Sequence, residues 1–276
     1  MPQERLYRTE GIVLREMDYA EADRILTLLT PGGKMTAIAH GIRRPTSRKV
    51  GHLGLFYRAQ LLLARGRNLD VITQAESLEE FEGIRSDLLR FTYACYAGEL
   101  MDRFAQEEEE SAELYELLTH GLRWLAVERD LRLWMRYFEL RLLAFTGYQP
   151  QLFACVACHR RLAPEKNYFS AEHGGLLCPE CARNEPVARG VSVAAQKVLR
   201  YLQTHDDTAV RALRITETTH AEMESLLQTY IEYVLERELK STEFLRRLRA
   251  ELRAAEAMSG PSEATDEARA SGSLTF

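Results

Sequence analysis

The sequence predicts an α+β multidomain protein, with a small N-terminal β-barrel, an α-helical domain behind it, and a four-cysteine ribbon inserted among the helices. Three observations predict it. Residues 1–75 hold about five short alternating runs separated by turn residues. From about residue 77 the apolar spacing changes to a helical period. Cys155, Cys158, Cys178 and Cys181 then stand in C-x2-C-x19-C-x2-C spacing between two helical stretches.

The strands come first. Residues 9–14 make a short one. Residues 24–30 and 34–39 flank Pro31-Gly32-Gly33, a strong turn signal. Residues 55–64 and 69–75 are joined at Arg65-Gly66-Arg67-Asn68. Five strands in so short a span suit a closed barrel, which leaves no sheet edge exposed. An OB fold has this strand count, and an SH3-like barrel fits the pattern nearly as well.

Helices follow. Residues 87–104 place Leu88, Phe91, Cys95, Leu100 and Phe104 near one face. Ser111 is the expected cap of a second helix through Leu114, Leu117, Leu118, Leu122 and Leu125. Asp130 is the expected cap of a third, with Leu131, Trp134, Phe138, Leu142 and Phe145 inward and Gly147 ending it. Ser192 caps residues 193–203. Thr219 and Glu222 have capping-box spacing before a long helix to about residue 253. After Ala254 the composition turns small and polar, which predicts disorder. The expected division is 1–78 for the barrel, 79–250 for the helical domain with its insertion at 151–185, and 251–276 for a disordered tail.

The chain has 276 residues, 46% hydrophobic and 28% charged, ordinary globular values that allow a core without disulfides. It has no run of 18 apolar residues and begins without a signal-peptide pattern, so a cytoplasmic place is expected. The net charge of −5 is uneven. Residues 1–75 hold 12 Lys and Arg against 7 Asp and Glu, a balance of +5, and the rest carries −10. A basic barrel beside an acidic remainder is where a polyanion docks.

Each C-x2-C pair can fold into a knuckle that aims two sulfurs at one point, and two knuckles complete a tetrahedral shell. Soft thiolates in a reducing compartment select zinc over a disulfide framework. A redox pair needs a βαβ context that is absent here, and an iron–sulfur cluster is the other competitor. A closed four-thiolate shell has no open position, so one structural Zn²⁺ is expected. Gly174-Gly175 supplies a turn, and Phe153, Tyr168, Phe169, Leu176 and Leu177 a small core. His159 and His173 lie nearby as surface residues, and Cys95 falls on an apolar helix face as a core residue.

Between the third and fourth strands, residues 40–49 (HGIRRPTSRK) hold four permanent cations in a stretch kept irregular by Gly and Pro. Such a loop suits a phosphate backbone, read by charge and with a steep salt dependence. Lys34 precedes it, Arg58, Arg65 and Arg67 could extend it, and Phe56 or Tyr57 could offer a stacking face. Asp18, Glu21 and Asp23 look like an ordinary solvated turn. P-loop, dinucleotide and nucleophile-elbow motifs are absent, and no acid pair near the basic half suits a two-metal nuclease, so no enzyme is expected.

Glu10-Gly11-Ile12-Val13-Leu14, Glu21-Ala22-Asp23-Arg24-Ile25-Leu26, Gly33-Lys34 and Ala39-His40-Gly41-Ile42-Arg43-Arg44 resemble the RecO family of DNA repair proteins. Thr146-Gly147-Tyr148-Gln149-Pro150 before the first cysteine pair resembles it too, and the likeness runs in order over about residues 5–250. The resemblance implies an N-terminal OB fold, a helical domain and a zinc ribbon. It implies a recombination mediator that binds single- and double-stranded DNA and anneals complementary strands. Such mediators work with RecR, in some bacteria with RecF, to load RecA onto strands coated by single-strand-binding protein. The family's DNA-binding face maps onto Lys34, Arg43, Arg44, Arg48 and Lys49, and its metal site onto the four cysteines. His40 stands where a lysine is frequent, Gly54 where a proline is, and His159 where a glycine is. The competing reading is an adaptor whose acidic helical domain holds a short peptide, such as the tail of single-strand-binding protein, in a groove.

Overall fold

A computed structural model describes residues 5–49, 51–107, 112–236 and 239–258. Strands β1 (Leu6–Tyr19), β2 (Asp23–Thr30), β3 (Gly33–Ala39), β4 (Arg58–Ala64) and β5 (Asp70–Glu79) close a barrel in the order β1-β2-β3-β5-β4. The five-stranded N-terminal barrel fits the OB architecture. Strand β1 is longer than its alternating pattern suggests because it serves two neighbours. Leu6 to Ile12 pair with β4, Ile12 to Tyr19 pair with β2, and a register shift between Val13 and Arg15 breaks the period. A short parallel contact of Ala37 and Ile38 with Asp70 and Val71 closes the ring.

Alternation sends one set of side chains into the barrel and the other outward. Val13, Leu26, Leu28, Leu61, Leu63 and Ile72 fill the interior. Ile12, Leu14 and Leu29 point the other way and join the helical core. Strand β4 begins at Arg58, three residues later than expected. A turn closed by Tyr57 N–H to the Gly54 carbonyl (2.9 Å), with Phe56 at φ 64°, occupies the intervening residues. Phe56 and Tyr57 are both buried, so neither offers the stacking face the sequence suggested. Phe56 packs over Gly98, where any Cβ would come within 2.6 Å of its ring.

Helices α1 (Glu82–Arg85), α2 (Leu88–Phe104), α3 (Ala112–Val127) and α4 (Leu131–Phe145) follow. Asp130 caps α4 as the sequence predicts, Asp87 caps α2, a role not assigned from the sequence, and Ser111 lies outside the described residues. The buried face of α2 is Tyr93, Ala94, Tyr96, Ala97, Leu100 and Met101, while Leu88 is 62% exposed. The period was right but the face was rotated, because α2 is enclosed by α1, α3, α4 and the barrel and has little polar surface to mark its outside. Phe145, expected inward, is half exposed. Arg136 and Glu139 form a fully enclosed ion pair (2.7 Å), with the Tyr96 hydroxyl donating to Glu139 (2.8 Å).

The insertion carries β6 (Asn167–Ser170) and β7 (Gly175–Leu177), and β8 (Arg189–Val191), just past its expected end, joins them in one sheet in the order β7-β6-β8. Phe169, Leu176 and Leu177 are buried, but Phe153 is exposed beneath the Arg200 guanidinium. Helices α5 (Val193–Thr204), α6 (Asp207–Arg211), α7 (Glu217–Leu235) and α8 (Lys240–Met258) complete the chain. Ser192 caps α5. Thr216, not Thr219, caps α7, and Glu222 instead accepts from the Ser192 N–H and hydroxyl. The long helix expected to residue 253 is two helices, broken where Glu236 adopts φ 52°. Helix α8 continues to Met258, so residues 251–258 are helical rather than a structureless tail, and residues 259–276 lie outside the described residues.

Candidate metal centre and nucleic-acid interface

The four cysteine sulfurs lie within 4.8 Å of one another, and Cys158 Sγ is 3.9 Å from Cys178 Sγ. A tetrahedron with metal–sulfur bonds of about 2.3 Å has edges of roughly 3.8 Å, so the set has the size of a metal shell. The backbone supports it. Cys178 N–H donates to Cys155 Sγ (3.4 Å), and the N–H groups of Cys158 and Ala157 point at the same sulfur. Arg160 donates to Cys158 Sγ (3.5 Å) and holds that thiol down to about 6. Cys181, whose hydrogen-bonded neighbours are the other cysteines, is pushed up to about 12. Four sulfurs this close cannot all ionise unless a cation sits among them, and that is the donor chemistry of a metal site. His159 and His173 stay outside the cluster. His173 Nδ1 contacts Ser170 Oγ (3.1 Å) and Glu185 (3.7 Å). Cys95 is half-buried and its thiol is raised to about 11 by that burial, as suits a packing residue.

The basic segment is a loop with a buried anchor. Ile42 and Leu53 are each 1% exposed and sit in the barrel core, which fixes the stretch between them against the barrel. Asp23 fixes its start. Its carboxylate accepts the Gly41 N–H (2.7 Å) and contacts His40 Nδ1 (2.6 Å), and those bonds hold it below the usual carboxylate range. Nothing in the residue pattern marks this role, since an acid in a turn is normally solvated.

From that anchored base Arg43, Arg44 and Arg48 project as exposed side chains. Arg43 lies 3.4 Å from Asp18, an exposed pair worth ~0–1 kcal/mol and easily exchanged for a phosphate. Lys49 is half-buried and donates to the Ile72 carbonyl (3.1 Å). Lys34 is turned the other way. Its ammonium donates to the Asp102 carbonyl and lies 3.5 Å from the Asp102 carboxylate, at the junction of β3 and α2. Arg58 is also at the barrel–helix junction, where it binds Glu10 (2.6 Å), Glu79 (2.5 Å) and the Tyr115 hydroxyl (3.0 Å). It is a strut between barrel and helices rather than part of an open basic surface.

A separate apolar groove of about 540 Å³ opens between α3 and α4, with Leu117, Trp124, Phe138 and Phe145 on its walls and His120 and Arg141 beside them. Its residues were not recognisable in the sequence because half-exposed apolar positions resemble core positions. No helix among the described residues is long and apolar enough to cross a membrane.

The chain matches two family models, Recombination protein O N terminal over residues 3–81 and Recombination protein O C terminal over residues 85–243. Similar proteins include the DNA repair protein RecO of Roseiflexus sp. (strain RS-1), 44% identical over 263 residues, which cover 95% of this chain and 93% of that one. The DNA repair protein RecO of Desulforamulus reducens is 40% identical over 245 residues, covering 88% of this chain and 95% of the relative. That of Desulforudis audaxviator is 42% identical over 244 residues, covering 88% and 97%.

Proposed function

The chain belongs to the RecO family of DNA repair proteins, and from that premise we propose that it is a non-enzymatic recombination mediator. It binds single- and double-stranded DNA through the barrel and anneals complementary strands. With RecR, and RecF where present, it helps load RecA onto strands coated by single-strand-binding protein. The observation that carries this reading is the loop at residues 40–49, held at its base and charged at its surface. Anchoring by Ile42, Leu53 and Asp23 lets Arg43, Arg44 and Arg48 meet phosphates without ordering a free loop first. Lys49 supports the edge of this surface, whereas Lys34, tied to Asp102 at the barrel–helix junction, lies apart from it.

The metal is zinc, held by Cys155, Cys158, Cys178 and Cys181, and it cross-links the insertion rather than acting on DNA. A cytoplasmic, nucleoid-associated place follows from such a role. A second reading, an adaptor for a short peptide, is favoured by the apolar groove between α3 and α4. Glu113, Glu116 and Asp207 line the groove beside His120 and Arg141, so a short peptide would be held there by apolar side chains against Trp124 and Phe138 more than by charge.

Annealing of complementary strands labelled as a fluorescence donor–acceptor pair tests the main reading. The native chain is expected to accelerate annealing, and Arg43→Glu with Arg44→Glu to remove most of the acceleration. Equal rates with both proteins would count against the barrel and favour the adaptor.

A further inference from the structure

The loop is one side of a larger feature. A groove of about 770 Å³ crosses the outer face of β1, β4 and β5. Arg48 and Lys49 line it on the β5 side, where Lys49 donates to Ile72 O and His52 Nδ1 meets Ser77 Oγ (3.1 Å). Arg8 lines it on the β1 side, and between them Leu62 pairs with both Arg8 and Gln74. A bulge at Thr73 bends β5 here, and the Thr73 hydroxyl donates to the Leu62 carbonyl (2.8 Å).

Three facts give this groove a ligand class. Arg8 and Arg48 are exposed and make no ion pair among the described residues, so cations on both walls await an anion. Glu76 is the one carboxylate among the lining residues. The cations also continue past the groove. Arg65 and Arg67 are exposed at the β4–β5 turn, and Arg65 N–H donates to the carbonyl of Arg5 (2.9 Å). Lys49 is held by the Ile72 carbonyl and Arg65 lies over the Tyr7 ring (4.9 Å), and a row of cations with one acid along a groove is the electrostatic form of a phosphodiester track.

The opposite side of the barrel explains why the track runs here. OB folds commonly take oligonucleotides on the face of their second and third strands. In this chain that face meets helices, since Leu29 joins the helical core, Lys34 N–H donates to the Gln106 carbonyl (3.4 Å) and its ammonium meets Asp102.

We propose that a single strand of nucleic acid crosses β1, β4 and β5 in this groove, its phosphates held between Arg48 with Lys49 on one wall and Arg8 on the other, and leaves toward Arg65 and Arg67. The inference rests on the DNA-binding reading above and deepens it by giving the strand a path. No Phe, Tyr or Trp lines the groove, so contact is through phosphates and carries little base preference.

The test is fluorescence-anisotropy binding of a labelled thymidine strand of about 30 nucleotides to the full chain. Arg8→Glu is expected to weaken binding at least tenfold, Arg8→Lys to retain it, and Glu76→Gln to tighten it, with melting temperatures unchanged. The gain expected from Glu76→Gln cannot come from damage to the fold. If Arg8→Glu and Glu76→Gln both bind like the native chain while Arg43→Glu with Arg44→Glu fails, the strand follows another path and the proposal is overturned. If the native chain binds no strand at all, the DNA-binding reading itself falls and the groove with it.

Discussion

Backbone N–H groups already converge on Cys155, and Arg160 already favours the Cys158 thiolate, so the cysteine knuckles are built to receive a cation. Replacing one sulfur breaks the shell. Cys178→Ser is expected to lower the bound metal, zinc on the reading proposed above, toward none and to lower the melting temperature by roughly 6 °C, for a loss on the order of 3 kcal/mol. DNA affinity should fall only slightly, because the insertion packs on α7 through Phe169 and Tyr230 (5.3 Å). Metal analysis with calorimetry checks the first part. Abolished DNA binding by a folded variant would move the ribbon into the DNA site. The cysteines were fully legible in the sequence, since ligand type and spacing define the site by themselves. Asp23 was not, because its importance depends on a loop returning from 18 residues away to place Gly41 over it.

At the scale of elements, α8 is docked by charge. Arg249 binds Glu224 and Arg253 binds Glu217, with Arg132 between the two carboxylates. Burial works against the Glu224 carboxylate, but the Arg249 hydrogen bonds, with Arg136 and Arg132, outweigh it and bring the group to about 2. A depressed carboxyl stabilises the fold above its ordinary value of 4.5 and loses that contribution as pH falls toward 2. Glu224→Gln is therefore expected to cost about 2 kcal/mol at neutral pH. The gap from the native chain should shrink as pH falls below about 4.5, as followed by thermal melts across pH. A gap independent of pH would mean that the ion pairs do not hold α8. The existence of the strands and most helices was legible from period and caps, and Asp130 and Ser192 cap where expected. The break at Glu236 was not, because no Gly or Pro marks it and a non-glycine residue takes the left-handed conformation.

Across the whole molecule, the barrel's surface is divided. Ile12, Leu14 and Leu29, with Lys34 and Arg58 at the edges, commit one side to the helices. The other side keeps Arg8, Arg44 and Arg48 free of ion pairs among the described residues. Charge counting in the sequence located the basic half but could not tell a strut such as Arg58 from an open cation such as Arg8, since that depends on which strand face meets the helices. The most direct measurement is single-strand affinity across a salt series for the native chain and for Arg43→Glu with Arg44→Glu. Four or five phosphate contacts predict a slope of log affinity on log salt near −3, flattened by about 1.4 units when two contacts are removed. A shallow slope that the reversal leaves unchanged would contradict DNA binding by the barrel.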